Sequence, residues 1–137
     1  MENCIFCKIV SGDIDAAKVY EDDYTLAFLS IEPIHKGHIL IIPKKHIDYV
    51  KDIDLDTYEK VMSTTHKMMN LVDKTYNPPR VGLLVEGWEV AHAHVHVIPL
   101  YEVDDVQLKP ISNGTAPKFS NEELESIAEE LRQNLDS

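Results

Sequence analysis

Between His92 and Ile98 the chain runs His-Ala-His-Val-His-Val-Ile. That alternation suits an extended strand, with the imidazoles on one face and Ala93, Val95 and Val97 on the other. Such a strand keeps its register only if its apolar face is buried, so the run predicts a sheet over a core. At about 3.3 Å per residue, neighbouring imidazoles stand roughly 6.5–7 Å apart and the outer pair about 13 Å. Zinc–nitrogen bonds are about 2.0–2.1 Å long, so one ion fits between two neighbours but not among all three. The spacing favours three separate tasks along one cleft.

The remaining elements follow from period and punctuation. Ile5 to Ser11 forms a short helix stopped at Gly12, and Lys18-Val19-Tyr20 pairs with Thr25 to Leu29 across a turn at Glu21-Asp22-Asp23. His38 to Ile42 is a β-branched third strand ended by Pro43. Leu55 to about Lys74 is a long helix capped by Asp54, with Tyr58, Val61, Met62, Thr65, Met69 and Val72 as its buried stripe. Pro78-Pro79 stops it. Val81 to Val85 and Ala93 to Pro99 complete five strands, the tail from Val103 to Phe119 is irregular, and Ser120-Asn121-Glu122-Glu123 is a capping box opening a helix to about Leu135. The expected fold is α+β: a mainly antiparallel five-stranded sheet with one long helix and a C-terminal helix. The 137 residues fit one domain, 1–137. It comprises the N-terminal helix with Cys-x-x-Cys at 4–7, the sheet and central helix over 18–100, and a tail and helix over 101–137.

Composition narrows the function. The formal charge of −11 argues against polymeric nucleic acid, which calls for a basic footprint, yet leaves room for a small phosphate held by local donors. No apolar run approaches a membrane span, and the N-terminal residues lack a secretory pattern. A cytoplasmic setting is expected.

Three constellations carry chemistry. A neutral imidazole attacks without a separate base, a protonated neighbour stabilises phosphoryl oxygens and protonates a leaving group, and a third histidine orients the attacker. The middle residue, His94, is the expected nucleophile. Two zinc ligands from His92 and His94 are the rival reading. Cys4 and Cys7 fit a redox pair, free thiols or half of a zinc site, with His46 and His92 as candidates for the other half. Ile5, Phe6, Ile9, Phe28 and Ile31 fit ordinary core as well as the walls of a pocket for a flat base. His35 is expected on a loop surface, Lys44-Lys45 as a solvated pair, and His66, Met68 and Met69 carry no assigned role.

His92-x-His94-x-His96-Val97-Ile98 resembles the signature of the histidine triad nucleotide-binding superfamily. The likeness extends through Ile5-Phe6-Cys7-Lys8-Ile9, Val19-Tyr20-Glu21-Asp22, Ala27-Phe28 and Gly37 to His46, in the order of its Hint-like branch. The resemblance implies a homodimer binding a purine mononucleotide such as AMP or GMP. It implies cleavage of a nucleoside phosphoramidate, or a related nucleotidyl bond such as that of a dinucleoside polyphosphate, through a nucleotidyl-histidine. In that scheme His94 attacks, His96 binds the α-phosphate and assists the leaving group, His92 supports the nucleophile, and His38 lies alongside. Ile5, Phe6, Ile9, Phe28, Ser30, Ile31, Glu89 and Val90 hold the nucleotide. A structural zinc sits on Cys4, Cys7, His46 and His92, and catalysis requires no cofactor.

Three positions depart from the pattern. Ser30 stands where an Asp often takes the ribose hydroxyls, Glu89 where a serine helps protonate the leaving group, and Leu100 where Arg is common. A single hydroxyl offers no bidentate carboxylate, and an ionised Glu repels phosphate. These departures motivate the alternative of a nucleotide-binding scaffold with vestigial catalysis.

Overall fold

The structure is a computed structural model that describes residues 3–107 and 109–135, with the side chain of Lys109 also outside the description. Residues 1, 2, 108, 136 and 137 of the expected domain lie outside the described residues. Five strands form one antiparallel sheet in the order β1-β2-β3-β5-β4: β1 Lys18–Glu21, β2 Thr25–Leu29, β3 Ile39–Pro43, β4 Arg80–Leu84 and β5 Val95–Leu100. Helix α1 spans Ile5–Ser11, α2 Leu55–Tyr76, the helical turn α3 Lys109–Ser112, and α4 Asn121–Gln133.

The sheet separates two apolar layers. On one face Val19, Ala27, Ile39, Ile41, Val95 and Val97 pack against Val61, Met68 and Val72 of α2 and Ile127 and Leu131 of α4. On the other, Leu26, Phe28, Leu40 and Ile42 pack beneath Phe6 and Ile9 of α1. Alternation along the strands sends neighbours to opposite layers. Across the sheet, Phe28, Leu40, His96 and Leu84 pair in one row, so His96 shares the face of Phe28 and Leu40.

The caps are those the sequence specifies. Asp54 accepts the Thr57 N–H at 3.0 Å to open α2, and Ser120 and Glu123 form the capping box of α4. Asn77, in the left-handed region (φ 49°), donates its N–H to Asp73 at 2.8 Å and ends α2 two residues later than expected.

Several expectations need correction. The fifth strand begins at Val95, so His92 and His94 stand in the loop before it and the three imidazoles do not share one strand face. The buried side of α2 is Val61, Thr64, Thr65, Met68, Leu71 and Val72, with Tyr58, Met62 and Met69 only half-buried. Thr64 explains part of this turn of the stripe, its hydroxyl lying 2.7 Å from that of buried Thr25. The tail is not wholly irregular, since Val103–Gln107 is a 3₁₀ segment and α3 follows. Buried Asp105 organises it by accepting the N–H groups of Tyr101 and Glu102, and it lies 2.9 Å from His35 Nε2. His35 is therefore half-buried against Asp105 rather than loop surface. Lys44 and Lys45 pair with Glu21 and Asp54.

Candidate active site and metal centre

Residues 85–94 run from β4 to β5 under two restraints. Gly87 has φ +77°, and a Cβ there would lie 2.8 Å from the Tyr49 ring, so glycine is required. Further on, the Ala93 N–H donates to Ile47 at 2.7 Å, tying the segment to the turn after β3. That tie brings His92 beside His46, with ring centroids 5.1 Å apart.

Hydrogen bonds fix the tautomer of each imidazole. His38 Nδ1 accepts the Ile34 N–H at 3.0 Å, so its Nε2 carries hydrogen and donates to His96 Nδ1 at 2.9 Å. His96 then holds its proton on Nε2, a buried atom with no partner among the described residues. His94 Nδ1 lies 2.8 Å from the His92 carbonyl oxygen and donates to it, leaving a lone pair on Nε2. His92 donates from Nε2 to the Pro43 carbonyl at 2.8 Å, which leaves its Nδ1 lone pair facing Cys4 and Cys7.

Burial and, after it, the neighbouring His94 push His96 down to about 4. Burial, then His96 and His35, push His38 down to about 3. Both rings are therefore neutral at pH 7, and His96 is a neutral N–H donor rather than the protonated group expected. His92 is likewise held below its ordinary range by burial.

A cavity of about 360 Å³ opens over this face of the sheet. The three imidazoles of His38, His94 and His96 line it, as do the expected nucleotide residues Ile5, Phe6, Ile9 and Phe28. Ser30, Ile31, Glu89 and Val90 line it too. The Phe6 ring stands edge-on with His94 at 5.3 Å and with Phe28 at 5.4 Å, joining the cavity wall to that imidazole. The Ser30 hydroxyl accepts the Glu32 N–H at 3.1 Å, so it serves a turn as well as facing the cavity. Asp15, Glu32, Leu40 and Glu86 also line the cavity and escaped the sequence reading. Only Leu40 left a signal there, through its place in the third strand.

The imidazole of His92 takes no part in this cavity. The ligand atoms of Cys4, Cys7, His46 and His92 all lie within 4.8 Å of one another. Cys7 Sγ is 3.2 Å from His46 Nδ1, and Cys4 Sγ 3.3 Å from His92 Nδ1. Two thiols and two imidazoles, one braced through its far nitrogen by a carbonyl, match a closed tetrahedral zinc site. Burial and then Cys4 raise the Cys7 thiol, which a bound cation reverses. Cys4 also caps α1, accepting the Cys7 N–H at 3.3 Å, so the same loop turn builds helix and site. His94, whose Nδ1 is taken, is not in this cluster, and a metal held between His92 and His94 finds no support.

Among known proteins, the HIT-domain profile matches residues 11–103. The "Protein hit" of Bacillus subtilis is 36% identical over 99% of this chain and 97% of its own length. An adenosine 5′-monophosphoramidase of Schizosaccharomyces pombe is 36% identical over 97% of this chain and 98% of its own. A zinc-bound histidine triad protein of Mycobacterium smegmatis superposes with TM-score 0.80 at 26% identity, covering 98% of this chain and 94% of that one.

Proposed function

The chain belongs to the HIT-domain family, and from that premise we propose that it hydrolyses a purine nucleoside phosphoramidate through a nucleotidyl-His94 intermediate. The observation that carries this reading is the pairing of one lone pair with one N–H in a single cavity: Nε2 of His94 and Nε2 of His96. The S. pombe relative named as an adenosine 5′-monophosphoramidase supports the same substrate class.

His94 Nε2 attacks phosphorus while its Nδ1–H stays on the His92 carbonyl, which stabilises the positive charge developing on the ring. The P–N bond breaks with its electron pair going to nitrogen, which takes up a proton from solvent and leaves as the amine. His96 Nε2–H donates to a phosphoryl oxygen and is held to that role by His38. Water then attacks the phosphorus of the intermediate, releasing the mononucleotide, the free imidazole and a proton. The net reaction consumes one water. Phe6, Ile9 and Phe28 offer apolar and aromatic walls for a base.

We assign a structural zinc to Cys4, Cys7, His46 and His92, with residues 1–137 as one HIT domain in the cytoplasm. The metal, when bound, cross-links the N-terminal turn to the segment carrying His94. A homodimer is supported by Leu83, Val85 and Trp88, which are exposed along and just beyond the edge strand β4, Trp88 by 84%. Release of AMP from adenosine 5′-phosphoramidate tests the reading; tight binding of AMP without turnover contradicts it and favours a scaffold.

A further inference from the structure

We propose that Glu86 and Glu89 select substrates whose leaving group carries a positive charge, namely phosphoramidates of an amine bearing a second, protonated amino group. The inference rests on the phosphoramidase reading and adds its leaving-group class.

The cavity built to receive an anionic phosphate is lined by four carboxylates, Asp15, Glu32, Glu86 and Glu89, and by no Lys or Arg among the described residues. None of the four side chains has an ion-pair or hydrogen-bond partner among the described residues, whereas Glu21, Asp52, Asp54, Asp56, Glu125 and Glu129 are all paired. The carboxylates are therefore available to something that enters the cavity. An independent observation points to a ligand there: buried His94, 4% exposed, and His96 both line the cavity, and the buried Nε2 of His96 has no partner among the described residues. Buried imidazoles left half-satisfied over a cavity are rare unless a ligand completes them.

Glu86 and Glu89 belong to the loop that carries His94, and Gly87 between them fixes its course. Glu86 and Glu89 line the same cavity as His94, so a group departing from phosphorus held at His94 leaves within their field. Two or more negative charges beside a phosphate oppose its binding. A cation on the departing group converts that opposition into attraction. The same field disfavours dinucleoside polyphosphates, whose leaving group adds further negative charge.

The test compares two adenosine 5′-phosphoramidates of equal chain length, one made with 1,4-diaminobutane linked through one nitrogen, the other with n-pentylamine. The diamine compound is expected to show kcat/KM on the order of tenfold higher, a preference that shrinks in 0.5 M salt. In the Glu86→Gln/Glu89→Gln variant the pentyl compound is turned over faster than by the wild type, and the ratio falls to near one. Binding of the same pair to His94→Ala, read by calorimetry, reports the charge preference without turnover. Turnover of both compounds with equal kcat/KM, or a ratio unmoved in the double variant, overturns the proposal and leaves the phosphoramidase reading intact. Absence of turnover with the binding preference retained overturns the catalytic reading and upholds charge selection; absence of both overturns both.

Discussion

His94 Nδ1 lies 2.8 Å from the main-chain carbonyl oxygen of His92, whose own side chain faces two thiols in the opposite direction. One residue thus joins two sites: its ring belongs to the cluster with Cys4, Cys7 and His46, and its main-chain carbonyl holds the His94 imidazole that lines the cavity. The four-residue cluster and the cavity thus meet at a single residue.

Disturbing the cluster is therefore expected to affect more than stability. Zinc, measured on protein purified without chelator and kept reduced, is expected at about one ion per chain. Cys7→Ser is expected to lose it, with a stability loss on the order of several kcal/mol and a fall in kcat as the His92 carbonyl shifts. Full zinc content in Cys7→Ser, or unchanged stability on its loss, contradicts the assignment.

His38 Nε2–H occupies His96 Nδ1 and leaves the proton of that ring on Nε2, which gives His38 a positioning role in the proposed reaction. His38→Ala is expected to lower kcat by about 10- to 100-fold, the scale of losing an orienting partner of a site histidine. His38→Gln, which keeps an N–H donor, recovers part of it. Equal activity of both variants shows that the ring does no more than fill space.

The buried histidines make stability depend on pH in a defined window. In the unfolded chain these imidazoles titrate near 6.5, whereas folded His96 and His38 stay neutral to about 4 and about 3. The unfolded state therefore binds more protons between those limits. The stabilisation is complete above pH 6.5 and is lost as pH falls through about 4 for His96 and about 3 for His38, on the order of several kcal/mol for the pair. Urea midpoints from pH 7 to 4.5 are expected to fall, less steeply in His38→Gln. A midpoint flat across that range contradicts the neutral pair.

The edge strand gives a separate expectation. With Leu83, Val85 and Trp88 exposed, sedimentation is expected to give twice the 15.6 kDa of one chain. Val85→Lys shifts it toward the monomer. A monomeric wild type at micromolar concentration removes the dimer from the proposal.

The sheet, the long helix and both side-chain caps were legible because they depend on period and on short-range acceptors: Asp54 and Ser120 act within three residues. The alternation from His92 to Ile98 over-extended the last strand, because side-chain pattern carries no record of where ladder pairing starts. His92 and His94 are held instead by main-chain groups, the Pro43 and His92 carbonyls and the Ile47 tie. Main-chain groups are the same at every position, so no sequence signal marks them. The residues alone offered Cys4, Cys7, His46 and His92 as one reading beside a redox pair or free thiols, the resemblance favoured that set, and the folded chain brings all four together. The acidic lining was only partly visible, through Glu89, because Asp15 and Glu32 enter from distant loops. Asp105 was missed for a similar reason: its partners are two backbone N–H groups and one remote histidine.

The central claim is a covalent bond from His94 Nε2 to phosphorus. It is tested by mixing the protein with adenosine 5′-phosphoramidate, quenching without acid within one turnover, and mapping the adduct by mass spectrometry. The account predicts one nucleotidyl group per chain on the His94 imidazole, absent from a folded, zinc-containing His94→Ala variant. An adduct on another residue, or AMP release that persists in that variant, contradicts it.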